Sequence, residues 1–242
     1  MIEALVVAII VVFVGYVVFG VTGFGASPLT VPLLAHVLPL TFVLSLAAIL
    51  DLASGLALGI HTRRQANRGD LLVLIPFTLL GLVLGVTLLV NLPRAVALRA
   101  LGAFVCAYAV YATVRRDARQ RLGRMWAVPA GIAGGVLGAL FGLGGPPYVM
   151  YLTGRITDPA RQRATISQMV ILNVGFRVVA FALAGLLFER DLWTSVALLL
   201  PVAWAGVWVG NRLQAKLPST VLARIVAAAL GVTGVSLIVR TL

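Results

Sequence analysis

Acidic residues are scarce in this sequence: seven Asp and Glu against 19 Lys and Arg over 242 residues, with charged residues only 11% of the chain. Soluble domains carry about 25% charged residues, so too little charge is present to coat a water-facing shell of this size. One cysteine, Cys106, excludes an intramolecular disulfide and any multi-cysteine metal site. Two histidines, His36 and His61, leave no basis for a His/Glu metal cluster. No Ser–His pair, intramembrane Asp pair or phosphate-cradling Gly-x-x-x-x-Gly-Lys-Ser/Thr sequence occurs, which argues against a hydrolase or an ATP-driven pump. The chain is read as a non-enzyme with no cofactor.

What is abundant is apolar: 61% of positions, with a mean hydropathy of +1.09. Lipid therefore replaces water as the main solvent. The net charge of +12 falls in short tracts between apolar runs: Arg63, Arg64 and Arg68; Arg115 to Arg124; Arg155, Arg161 and Arg163; Arg212 and Lys216. Loops on the cytoplasmic side of a membrane carry such tracts, and no nucleic-acid motif accompanies them.

Runs of about 20 apolar residues cross a bilayer as helices. The pattern predicts helices at 2–19, 40–61, 70–92, 94–114, 126–141, 164–188, 191–213 and 218–240, with shorter ones at 29–38 and 147–154. The first run, with Glu3 and no Ala-x-Ala site, reads as a retained helix rather than a signal peptide. Each short segment follows a glycine-rich break, Gly20 to Pro28 or Gly142 to Pro147.

The two halves align. Gly23, Gly25 and Pro28 match Gly142, Gly144 and Pro147 at an offset of 119. Ser45, Leu50 and Asp51 match Ser167, Leu172 and Asn173 at 122. Pro76, Gly81, Gly85, Pro93 and Arg99 match Pro201, Gly206, Gly210, Pro218 and Arg224 at 125. The expected fold is an all-α membrane protein of two repeats, 1–114 and 126–242, joined by a basic cytoplasmic linker at 115–125. Each repeat has a Gly/Pro-broken helical hairpin and three spanning helices. Placing the arginine-rich loops inside makes 126–154 a hairpin that enters and leaves on one side, puts both termini outside, and gives the repeats opposite orientations. Inverted repeats of this kind are a recurring transporter plan, with the site at the repeat interface.

Irregular backbone at membrane depth survives only where protein or a water-filled cavity satisfies it. The two breaks are thus candidate cavity linings, with free N–H groups at the following helix starts favouring an anion. The alternative is that the glycines only permit close helix packing. Asp51 and Arg177 fall near the centres of their predicted spans, where a charge costs at least about 2.5–3.5 kcal/mol. Arg177 is assigned to gripping an anion, with Asn173 one turn earlier on the same face, and Asp51 to carrying a coupling proton. An Asp51–Arg177 ion pair is the structural alternative. Gly23, Gly25, Ser27, Gly142, Gly144, Gly145 and Gln168 complete the candidate substrate-binding set, with Thr22, Ser45 and Ser167 as further cavity-polar candidates. His36, His61, Trp126 and Trp193 read as interfacial, whereas Trp204 and Trp208 share one helix face.

The glycine-rich, proline-ended motif in each half, Gly20 to Pro28 and Gly138 to Pro147, resembles that of the sulfite exporter TauE/SafE family of membrane permeases. The resemblance covers essentially the whole chain. It implies secondary transport of small sulfur-containing or organic anions, of the sulfite, thiosulfate, sulfonate or sulfoacetate type, across a bacterial cytoplasmic membrane. The expected partners are a small anion, the lipid bilayer and a coupling proton, without nucleic acid. The residues leave the oligomeric state open, a homodimer included, and an anion channel or an intramembrane assembly factor stand as alternative functions.

Overall fold

The computed structural model describes residues 2–22, 25–59, 65–114 and 122–213. Gly23, His61, the predicted helix 218–240 and most of the predicted linker lie outside those residues. The described chain is helical and without strands. It runs α1 (Ile2–Thr22), α2 (Ser27–Leu34), α3 (Leu40–Gly59), α4 (Arg68–Asn91) and α5 (Arg94–Val114), then α6 (Ala127–Phe141), α7 (Gly145–Arg155), α8 (Pro159–Leu183) and α9 (Arg190–Leu213). Five stretches, those of α3, α4, α8, α9 and α6 with the turn before it, are long and apolar enough to cross a membrane. Large apolar side chains point outward along them: Leu72, Val83 and Val90 of α4, and Trp204 and Trp208 of α9, are all exposed. Such a surface suits lipid.

Local chemistry sets the helix starts. Asn67 caps α4 by accepting from the Gly69 N–H at 3.2 Å, and Asp158 caps α8 by accepting from the Arg161 N–H at 3.1 Å. Pro159 occupies the first turn of α8, where its missing N–H costs nothing. That cap starts α8 five residues before the predicted 164, because Arg161 and Arg163 lower the hydropathy of a turn that is nonetheless helical. At the other end α8 stops at Leu183, and Gly185 follows with φ 78°. Arg177 thus lies within two turns of the end of α8 rather than near its centre. The short helices shift too: α2 spans Ser27–Leu34, not 29–38, and α7 spans Gly145–Arg155, not 147–154.

Glycines let the long helices approach backbone to backbone. On α4, a side chain at Gly81 would strike the Ile132 carbonyl oxygen of α6, and one at Gly85 the Val136 carbonyl oxygen. On α9, a side chain at Gly206 would strike the Phe13 carbonyl oxygen of α1, and one at Gly210 that of Val17. The α6–α7 hairpin closes at its base, where the Leu122 N–H donates to the Gly154 carbonyl at 2.9 Å. The Asn67 N–H donates to Thr165 Oγ1 at 2.8 Å. These contacts bring the segments at 65–69, 122–124 and 155–163 to one arginine-rich end of the bundle.

Candidate functional site

The first glycine break sets up the site. Gly25 has φ 106°, a conformation that side-chain-bearing residues rarely adopt, and α2 starts two residues later, packed on α3. This aims the Ala26 N–H (3.3 Å) at Asp51 Oδ1, and the Ser27 hydroxyl donates to Oδ2. From α1, the Tyr16 hydroxyl donates to Oδ1 at 2.8 Å. Asp51, 3% exposed, thus has three donors from two elements, as a buried carboxylate requires.

The second break brings the opposite charge. Gly142, with φ 71°, ends α6 in the left-handed conformation. A side chain there would press on Ser27 and on Arg177 Nη1. Arg177, 1% exposed, donates from Nη1 to the Gly138 carbonyl at 3.0 Å, and its Nη2 lies 3.6 Å from Asp51 Oδ2. Its Nε and Nη2 have no hydrogen-bond acceptor among the described residues. These two nitrogens form one edge of the guanidinium, the edge that meets a carboxylate or another oxyanion in two-pronged fashion. The two charges are thus ion-paired, while Nε and Nη2 remain without a hydrogen bond among the described residues.

One turn before Arg177, Asn173 donates from Nδ2 to the Tyr148 hydroxyl at 2.9 Å, and that hydroxyl donates to Thr78 Oγ1 at 3.2 Å. A side chain at Gly144 would press on the Gly134 carbonyl and on Asn173, so this glycine serves helix packing as well as the break. Gly145 opens α7 and is buried.

The structure thus brings together Gly25, Ser27, Asp51, Gly142, Asn173 and Arg177, with Gly144 and Gly145 alongside. It does not bring Gln168 in: half-buried, it precedes Arg177 by nine residues, about two and a half turns, and so sits on the opposite face of α8. Ser45 lies elsewhere, its hydroxyl bonded to the Leu186 carbonyl at 3.2 Å. His36 bonds the Pro32 carbonyl within its own segment at 2.8 Å. Among the described residues, a void of about 10 Å³ lies beside Tyr16, Thr30 and Leu50, about the least that holds a water. A larger cavity of about 370 Å³, lined by Trp126, Pro129, Pro147, Met150 and other mostly apolar side chains, flanks the hairpin and contains neither charge of the pair. Sequence reasoning missed Tyr16, Tyr148 and Thr78, because a tyrosine or threonine inside an apolar run carries no signal of which face it occupies.

The family profile described as Sulfite exporter TauE/SafE matches residues 7–237, nearly the whole chain. The chain belongs to this family. As a TauE/SafE protein it is a membrane transporter of the sulfite exporter type. It is 26% identical over 195 residues to the "Probable inner membrane transporter protein TsaS" of Comamonas testosteroni, covering 79% of this chain and 81% of that one. No solved structure gives a significant match.

Proposed function

We propose that this TauE/SafE protein is a secondary transporter of small sulfur-containing or organic anions, such as sulfite, thiosulfate or sulfonates, and that it works by alternating access between two inverted repeats. The observation that carries the reading is a guanidinium 1% exposed to solvent whose Nε and Nη2 make no hydrogen bond, Nη2 being only ion-paired with Asp51. A buried donor left unsatisfied costs about 1–3 kcal/mol, more for a charged group, and an oxyanion bound there would remove that cost. Asp51 is the resident counter-ion. Protonating it would cancel its charge and release Nη2, so that proton and anion enter the site together.

The repeat reading is supported by the helix contacts. Gly81 meets Ile132 and Gly206 meets Phe13; Gly85 meets Val136 and Gly210 meets Val17. Partners within each pair of contacts are related by the same sequence offsets, 125 and 119, as two copies of one unit would be. The arginine-rich end is then cytoplasmic in a bacterial inner membrane, with both termini outside. Among the described residues, the buried ion pair at the centre and the paired helix contacts favour a carrier over a channel.

Purified protein in proteoliposomes tests this with sulfite as the probe. Uptake should saturate, accelerate when the lumen is preloaded with unlabelled sulfite, and respond to an imposed pH gradient. Asp51→Asn should keep sulfite binding and lose the pH response. Uptake linear in concentration and indifferent to preloading would contradict the carrier reading and favour a channel.

A further inference from the structure

A second ion pair lies away from the Asp51–Arg177 centre. Asp70, at the start of α4 and 3% exposed, has Oδ1 3.3 Å from Arg155 Nε and 3.3 Å from the donating Tyr151 hydroxyl. Its Oδ2 accepts from Asn67 Nδ2 at 2.7 Å. Arg155, at the end of α7, is the partner with solvent contact, its side chain 28% exposed. The pair links α4 to α7 at the arginine-rich end, where both pack against α8.

Between this pair and the charged centre, α4 and α8 repeat one order of side chains and α7 supplies partners to each level. On α4, Asp70, Leu74 and Thr78 follow at four-residue spacing; on α8, Thr165, Met169, Asn173 and Arg177 do the same, and such spacing keeps them on one face. On α7, Arg155 and the Tyr151 hydroxyl meet Asp70, Leu152 lies in the apolar cluster, and the Tyr148 hydroxyl meets Asn173 and Thr78. α4 and α8 thus each present a polar level, an apolar level and a second polar level, and α7 side chains join all three. Tyr148 joins the second polar level by bonding both Asn173 and Thr78. Leu74, Leu152 and Met169 lie in one buried cluster, each 0% exposed. Duplication does not demand this order. At the same offsets the first half has Val43 opposite Thr165, and the second has Ala203 opposite Thr78, both buried and apolar.

Polar side chains cost energy inside a membrane and characteristically mark ion and substrate pathways there, while a thin apolar constriction between polar levels gates by excluding water. We propose that the Asp70–Arg155 pair is the inner gate of an anion route running between α4, α7 and α8 from the arginine-rich end to Arg177. With the pair formed, Tyr151 and Arg155 hold α7 on α4 and the Leu74–Leu152–Met169 level stays dry. When it parts, α7 leaves α4, the apolar level wets, and Arg155 is the first cation that an entering anion meets. The proposal rests on the transporter reading, but its test does not require transport.

The test uses the full chain with Cys106→Ser and Met169→Cys, labelled by a charged, membrane-impermeant methanethiosulfonate in vesicles of either orientation. Labelling from the arginine-rich face should be slow in this parent and faster by about tenfold or more when either Arg155→Gln or Asp70→Asn is added. Labelling from the opposite face should not change. Rates equal to the parent in both folded, monodisperse variants would overturn the gate, as would an equal gain from both faces, which is general loosening. Absence of sulfite transport by the unmodified protein would instead fail the transporter reading, so the two failures are told apart.

Discussion

At Arg177 the guanidinium donates one hydrogen bond to Gly138 and leans towards Asp51 without completing a second. The position of Nη1 depends on Gly142, where a methyl group would press on both Arg177 and Ser27. The left-handed backbone there also costs a non-glycine residue roughly 1–2 kcal/mol. Gly142→Ala should therefore weaken sulfite binding by about tenfold or more while the protein still purifies as a folded species; calorimetric titration checks it, and unchanged affinity would remove Gly142 from the site. Asp51, Arg177 and Asn173 were legible from sequence because a charge or amide inside an apolar run is costly and conspicuous. Asp70 was not, since it adjoins an arginine-rich loop and hydropathy gives such a residue no depth. With only seven acidic residues in the chain, each is worth locating, and that scarcity was the available signal.

At the scale of the helix, close glycine contacts hold α1 on α9 and α4 on α6. If the two contacts are copies of one another, they should fail alike. Gly85→Ala and Gly210→Ala each place a methyl group against a carbonyl oxygen of the facing helix, an overpacking that costs about 1–3 kcal/mol. Thermal unfolding in detergent should show a lowered midpoint for both, and a variant pair in which only one falls would break the equivalence. Helix existence and the two short helices were legible from hydropathy and the Gly/Pro breaks. Helix ends were not: α8 gains five residues at its start from the Asp158 cap and the Pro159 first turn, features that an average over apolar residues blurs.

For the whole molecule, two charges from different halves meet beside the two glycine breaks, a structural tie that is also the proposed anion site. Sequence offsets aligned motifs of the two halves, but did not tell that α1 would pack on α9 or that Tyr16 would reach Asp51, because pairing between distant helices depends on shape that one-dimensional spacing does not contain. The two roles separate in one experiment. Removing only the cation, with Arg177→Ala, leaves Asp51 buried without its counter-charge and should cost about 3–5 kcal/mol. Adding Asp51→Asn should restore most of that stability. The decisive measurement is sulfite binding to the purified Asp51→Asn, Arg177→Ala double variant, alongside Asp51→Asn alone. The account predicts binding by the single variant and none by the stable double variant; recovered binding in the double variant would contradict a substrate role for Arg177.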